Sequence, residues 1–567
     1  ASGNGQVYLR DLAITHSDWF ITGIADLTLG MDNSTGDASL VTGDDSHYNN
    51  GIFTDGRFAF YLKGSTKGGV EITASADTGE GSLGELFSNI LDKRPQSLFR
   101  RLDTDNEGYV YPTFGDDSKT TDDAPTQGKF YFKAKKDNNF GMWGNFRAAW
   151  LDTDLAQVNR GFYGAYGHYE SSDATDAGDP RSRVDSFVAQ PGTVRARDEF
   201  RGTGGSLYFL RHQDITQGGE SVWVEIRDGD SGFVLKTNRL IPGQDYTIDF
   251  IQGRLQLVVP LPSTADSSQL VQSGSLSGHP VYLVVNYEYA PGFAQLDGTA
   301  VGLRASRWVN DQLKIGFTYS NEDQQDAPQN LTALDITWRK TAATYLKFET
   351  ATSQGLSSSD YLSQNGGYNF DPLAQPASAS DSAGAHRLEV GGLLSDFITN
   401  SRGRFTAYFQ QRDAGFSAPG QLTARDTTQL GLNFNFPVDK FSDFNVKFDS
   451  KQEDLGLGTQ ALSVDYGMLF GANWKMTAGF RYDSREDNSL VVPLTQTEGD
   501  RTDAAVRMTY EKDEDWKAYY FAQATLQHSG TRNSNNRVGA GGEYQASDRL
   551  GLKAELSAGD LGLGAKF

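Results

Sequence analysis

The sequence contains no cysteine. That excludes a disulfide framework, a thiolate metal site and a cysteine nucleophile. It also lacks any run of about 18 apolar residues, so it encodes no helix of the kind that crosses a bilayer. With 37% hydrophobic residues and a mean hydropathy of −0.51, the chain is too polar for such helices. Membrane-spanning strands, which are short and half polar, stay open. A basic surplus is missing too: 51 Lys and Arg against 73 Asp and Glu leave a net charge of −22. This argues against binding nucleic acid through its phosphates and fits a surface facing cations, or lipopolysaccharide bridged by divalent metal. Proline is scarce (16 residues), whereas glycine (63) and aromatics (12%) are plentiful, a composition of many strands joined by tight turns. The sequence opens at Ala1 without a basic n-region or apolar h-region, so a secretion signal is read as already removed.

What is present is a two-residue alternation repeated over much of the chain. From Trp474 to Asp483 the even positions are Trp474, Met476, Ala478, Phe480 and Tyr482, and the odd ones Lys475, Thr477, Gly479, Arg481 and Asp483. Phe444, Val446 and Phe448 alternate with Asp443, Asn445, Lys447 and Asp449. Leu313, Ile315, Phe317 and Tyr319 alternate with Lys314, Gly316, Thr318 and Ser320, and Leu334, Ile336 and Trp338 with Asp335, Thr337 and Arg339. One such strand suits any antiparallel sheet with a wet face. A long series without intervening helices suits a wall with hydrocarbon on one side and a watery lumen on the other.

The final residues read Asp560, Leu561, Gly562, Leu563, Gly564, Ala565, Lys566, Phe567. This ending resembles the assembly signal of bacterial outer-membrane β-barrels. The resemblance implies that Asp560, Gly562, Ala565 and Phe567 are read by the barrel-assembly machinery as the last strand closes the barrel. It also implies an outer-membrane location with lipid and lipopolysaccharide as neighbours. From Thr299 onward about fifteen strands are expected, and five to seven more from residues 1–170, giving roughly 20–22 in an all-β transmembrane antiparallel barrel. Short connections (310–311, 340–341, 437–440, 471–473, 512–514) alternate with long ones (353–385, 413–425, 484–501), as periplasmic turns and outward loops do; 395–401 is the awkward member.

Two stretches break the pattern early. Leu83, Leu86, Phe87, Ile90 and Leu91 recur at helical spacing, so one short amphipathic helix is expected within Gly81–Arg101. An acidic stretch follows, giving a helical and acidic insertion at about 78–126. Asp103, Asp105 and Glu107 before Gly108 imitate the start of a calcium loop, but Phe114 holds the position of the bidentate glutamate. Calcium is the sole cofactor the sequence suggests, set against a solvated acidic turn.

Residues 171–292 leave the barrel pattern. After a linker-like stretch, apolar runs such as Val281-Tyr282-Leu283-Val284-Val285 and turns such as Asp228-Gly229-Asp230-Ser231-Gly232 indicate strands buried on both faces. An inserted β-sandwich-like domain is expected here, between barrel segments 1–170 and 293–567, lying outside the cell or in the mouth of the pore. The blocks Glu199-Phe200-Arg201-Gly202-Thr203-Gly204-Gly205 and Phe209-Leu210-Arg211-His212-Gln213-Asp214-Ile215, with Ile251-Gln252-Gly253-Arg254, are similar to segments of large multi-domain bacterial outer-membrane surface proteins. That resemblance brings no catalytic residue with it.

The seven histidines are scattered, and neither a Gly-x-Ser-x-Gly elbow nor a phosphate loop occurs, so the chain reads as a non-enzyme. Trp143, Trp150, Trp308, Trp338, Trp474 and Trp516 mostly fall near inferred strand ends, which suits an interfacial girdle. Lys314, Asp335, Arg339, Arg402, Arg404, Lys447, Asp449, Lys475 and Arg481 are the expected lumen-lining charges. The functional expectation is a conduit for a solute or polypeptide, with a periplasmic, surface or secreted protein as partner and the inserted domain as gate or docking surface. The alternative is a plugged barrel that anchors a surface domain.

Overall fold

The computed structural model describes residues 19–33, 51–92, 123–190, 194–216, 219–229, 232–265, 269–274, 278–289, 298–324, 328–355, 360–372, 382–399, 401–418, 421–489, 497–512, 516–547 and 550–566. The chain is all-β among these residues, and 23 of its strands belong to one large antiparallel sheet. It divides into two units.

The first unit holds β1 (Trp19–Met31), β2 (Ile52–Ser65), β3 (Glu71–Asp77), the two-residue β4 (Gly81–Ser82), β5 (Phe130–Lys136) and the beginning of β6 (Asn139–Trp150). These pair antiparallel in the order β1, β2, β3, β5, β6, with β4 beside β2. The helix expected at Gly81–Arg101 is absent from its described part. Residues 83–92 are successive turns closed by i to i+3 bonds, Glu85 N to Ser82 O at 2.9 Å and Ser88 N to Glu85 O at 2.9 Å. Helical spacing of apolar residues is outweighed here by Gly81 and Gly84 near the start and by Asn89, whose φ of +54° stops propagation. The expected strand Gln6–Ile14 and the acidic stretch as far as Asp122 lie outside the described residues, and Asp123 at its end pairs with Lys63 at 2.5 Å.

The second unit begins with the rest of β6 and includes residues to Phe162 of β7 (Val158–Glu170) and all of β8 (Ser182–Ala189). An inserted domain then supplies β9 (Val194–Arg201), β10 (Leu207–Phe209), β11 (Ser221–Arg227), β12 (Val234–Arg239), β13 (Tyr246–Asp249), β14 (Arg254–Leu257), β15 (Thr264–Ala265) and β16 (His279–Tyr289). The wall resumes with β17 (Gly298–Trp308), β18 (Leu313–Gln324), β19 (Gln329–Arg339) and β20 (Tyr345–Gln354). The next loop forms β21 (Asp360–Ser363) and β22 (Asp371–Pro372), and β23 (Ala383–Leu393) and β24 (Arg404–Arg412) follow. After the small hairpin β25 (Ser417–Ala418) and β26 (Gln421–Leu422) come β27 (Thr427–Pro437), β28 (Ser442–Glu453), β29 (Leu457–Phe470), β30 (Trp474–Asp487) and β31 (Gly499–Lys512). The chain ends with β32 (Trp516–His528), β33 (Arg537–Ser547), β34 (Leu550–Gly559) and β35 (Gly562–Lys566).

From β8 through β17 to β35 each wall strand pairs antiparallel with the next, the domain and loop strands being skipped. Tight reversals hold the register, as at Gly471, whose φ of +67° suits the turn between β29 and β30. Ser182–Ala189, part of the stretch 171–292, pairs with β17 and belongs to the wall.

The inserted domain has its own core. A 7-stranded sheet in the order β12, β11, β16, β9, β21, β22, with β15 beside β16, packs against the three-stranded β10, β14, β13. Phe200, Tyr208, Ile215, Tyr246, Leu255, Leu283, Val285 and Tyr287 fill the space between the sheets. The unbroken apolar run in β16 is thus explained: the strand is central and covered on both faces. One edge of this sheet is completed by the loop after β20, whose β21 pairs parallel to β9 (Tyr361 opposite Asp198).

Candidate functional site

The wall sheet of the second unit is inverted relative to a water-soluble sheet. On β30, Phe480 is 40% exposed while its neighbour Arg481 is 1% exposed; on β19, Leu334 is 52% exposed and Asp335 5%. Leu313–Arg339 and Thr427–Asp483 repeat this choice strand after strand. Water would penalise the outward face by roughly 25 cal/mol per Å² of apolar surface, whereas hydrocarbon accepts it. At the short-turn ends Trp474, Tyr510 and Trp516 form a ring cluster with centroids 5.0 and 5.6 Å apart. Trp308, expected near the same rim, instead faces inward beneath the Arg339 guanidinium, 3.8 Å from its ring.

The expected lumen charges sit as follows. Lys314 reaches Asp152 at 3.4 Å, Arg339 reaches Asp179 at 2.5 Å, Lys475 pairs with Asp443 at 2.7 Å and Lys447 with Asp449 at 2.9 Å. Asp335 is bound by Arg304, and Arg481 lies 3.5 Å from Asp483. Arg402 and Arg404 are exposed beside the 394–403 connection. Sequence reasoning missed Arg160, Arg304, Arg387, Arg501 and Asp503, although strand parity places them on the same face as the residues it found. Asp152 and Asp154 carried no such signal, because they lie in the loop between β6 and β7. That loop folds onto the inner face, where Leu155 and Ala156 pack with Leu331, Ala333, Ala351 and Phe416.

The inner face also holds the inserted domain, mostly through polar contacts. Arg160 on β7 donates to Glu288 on β16 at 2.9 Å, and Arg195 on β9 pairs with Glu322 on β18 at 2.5 Å. Lys447 on β28 binds Asp228 of the domain. The segment 270–273 donates from Leu270 N to Asp465 at 3.1 Å and from Gln272 N to Gln523 at 2.9 Å, and Ser273 O accepts from Arg501 at 2.9 Å. Phe233 stacks on Tyr408 at 4.1 Å. Partners come from β7, β18, β24, β28, β29, β31 and β32, so the wall curls around the domain.

Between the domain and β23, β24, β27 and β28 lies a cavity of about 1170 Å³. The domain presents Arg197, Glu199, Glu225 and Arg227 to it, and the wall presents Arg387, Glu389, Arg412, Lys447 and Asp449. Burial alone would raise the Glu199 carboxyl, but Arg197 and Arg227 outweigh it and hold the group at about 2. Arg227 donates to Glu199 at 2.7 Å and to Glu225 at 2.6 Å.

A second polar group lies within the domain. Tyr287 OH donates to Asp198 Oδ2 at 2.7 Å and lies 2.8 Å from His212 Nδ1. With the hydroxyl proton given to Asp198, Nδ1 is the donor in the second bond. Burial, then the nearby Arg211 charge, depresses His212 to about 4. The ring stacks on Tyr289 at 3.8 Å, so this group is packed rather than open to a substrate.

Among the described residues no group of three or more His, Cys, Asp or Glu side chains is placed to hold a metal. The calcium-like Asp103, Asp105 and Glu107 lie outside the described residues. Of the assembly-signal residues, Asp560 accepts from Asn536 N at 3.0 Å, Gly562 opens β35 with a φ of +102°, and Ala565 pairs with Leu556. Phe567 lies outside the described residues.

No protein-family model matches the chain, and no curated protein matches it. Among solved structures it is similar to the P pilus usher PapC translocation pore, at 12% identity and a TM-score of 0.33, over 96% of this chain and 97% of that one. A second structure of the PapC pore matches at 12% identity and a TM-score of 0.29, over 97% and 99%. The copper transporter OprC matches at 10% identity and a TM-score of 0.29, over 95% of this chain and 73% of that one.

Proposed function

We propose that the chain is a gated conduit of the bacterial outer membrane, its wall in hydrocarbon and its inserted β-domain the gate. The observation that carries this reading is the contrast between the domain's two kinds of contact. Its own core is apolar, with Phe200, Ile215, Leu255 and Leu283 fully buried, whereas it meets the wall largely through ion pairs and hydrogen bonds. Polar contacts can be exchanged for water at little net cost, whereas an apolar core cannot. The domain can therefore leave the wall without unfolding. The short-turn rim faces the periplasm in this reading, and the cargo is a solute or an extended polypeptide. Planar-bilayer recording tests it: the intact chain should give rare openings, and removal of residues 191–296 should give a steady conductance. Silence from both proteins would sink the idea.

A second reading, a permanently plugged anchor, is favoured by the parallel pairing of β21 with β9, which ties a wall loop into the domain's sheet. It predicts no openings from the intact chain under any condition.

A further inference from the structure

The two edges of the domain's 7-stranded sheet are treated differently. The β9 edge is covered by β21 and β22 from the chain's own loop, whereas β12 at the opposite edge pairs, among the described residues, with β11 alone. Leu240 N donates to Val222 O on the β11 side at 3.0 Å. Alternation along the strand then turns the N–H and C=O of Asn238 inward and those of Thr237 and Arg239 outward. Every residue from Gly232 to Arg239 lines the cavity of about 1170 Å³, so this free edge faces open space inside the wall. An unpaired strand edge is a template for another strand.

The charges around it favour one kind of partner. The five carboxylates lining the cavity (Asp154, Glu199, Glu225, Glu389, Asp449) are all taken up by Arg197, Arg227, Arg387 or Lys447. Lys236 and Arg239 on the edge strand, and Arg412 on the facing wall, have no ion pair among the described residues. In a chain of net charge −22 this is a local cationic surplus.

We propose that β12 is a docking strand for an extended polypeptide with acidic side chains, which adds to the sheet edge inside the lumen and is held by Lys236, Arg239 and Arg412. This rests on the conduit reading and names its cargo class. Six residues of extended chain span roughly 20 Å, enough to pair along Val234–Arg239.

The test uses the full chain in detergent and two labelled hexapeptides, Val-Glu-Glu-Val-Glu-Glu and Val-Lys-Lys-Val-Lys-Lys, whose charges fall on both faces of the added strand as those of Lys236 and Arg239 do, with binding read by fluorescence anisotropy. The Glu peptide should bind about tenfold tighter, the size expected from two or three partly exposed ion pairs. Lys236→Glu with Arg239→Glu should reverse the preference. Thr237→Pro, which removes an outward N–H and no bond to β11, should abolish binding of both peptides while the folded band in gel electrophoresis is retained. Because the chain has no other thiol, Thr237→Cys reports whether the edge can be reached. A reachable thiol together with equal peptide affinities, or with full binding by the proline variant, overturns the docking strand alone. A thiol that no small reagent modifies counts against the conduit itself and removes the docking strand with it.

Discussion

Arg160 on the wall and Glu288 on the domain are joined at 2.9 Å with side chains only 5% and 6% exposed. The pair is buried where the wall meets the inserted sheets, and neither charge has water to fall back on. Glu322 shares the same guanidinium and is itself bound by Arg195, so two cations and two anions are linked in one group.

Replacing Glu288 with Gln should weaken the closed state. Loss of one partner from a buried pair costs about 3 kcal/mol, close to a hundredfold in the closed-to-open ratio. Single-channel recordings should show openings that are correspondingly frequent, with an unchanged unit conductance. An opening rate equal to that of the parent chain would count against this pair as a closing contact.

A disulfide should lock the gate. A Cβ built on Gly479 of the wall would lie 3.1 Å from Leu270 Cβ of the domain and 2.5 Å from Asp465 Oδ1, so the bridge forms once the strands part by about 0.7 Å and that carboxylate turns aside. In this cysteine-free chain Leu270→Cys with Gly479→Cys should be silent under oxidation and should regain openings with reductant. Equal activity in both conditions would show that the domain does not move at this point.

The outward face should reject charge where the inward face tolerates it. Phe480→Lys near the middle of β30 should cost about 2–4 kcal/mol of folding stability in lipid vesicles, whereas Thr477→Lys on the inner face should cost far less. Urea titration of vesicle-inserted protein measures both. Comparable losses would mean that the exposed apolar face does not contact hydrocarbon.

Acid should loosen the domain through His212. Its imidazole is held at about 4 against an unfolded value near 6.5, so the unfolded chain binds the proton first. Stability is full above about pH 6.5 and falls as pH drops toward 4. Tyr287, Asp198, Arg211 and Tyr289 surround the ring. Glu199, held at about 2, adds its loss only below about pH 4.5. His212→Gln should flatten the upper part of this profile, and melting at pH 7, 5.5 and 4.5 would show whether it does.

Much of the wall is legible in the sequence because a strand has a period of two and the register leaves no choice of face. Leu334 and Asp335, or Phe480 and Arg481, fall on opposite sides as soon as the strand is recognised. The turns at 83–92 were not legible as such. Apolar spacing alone indicated a helix, while the competing preferences of Gly84 and Asn89 are local and weak until the fold sets them. Trp308 shows the same limit, since its place near a strand end suited a lipid rim and its parity with Arg304 decided otherwise.

The chain's own chemistry determined the all-β class, the alternation of its wall strands and a change of pattern within residues 171–292. These depend on neighbours two residues apart or on local apolar runs. Tertiary structure alone decided that the inserted domain lies against the inner face, that Arg160 meets Glu288 across 128 positions, and that a loop from beyond β20 closes one edge of its sheet while β12 stays open. Such contacts join segments far apart in the chain, and no local periodicity encodes which buried charge will find which partner.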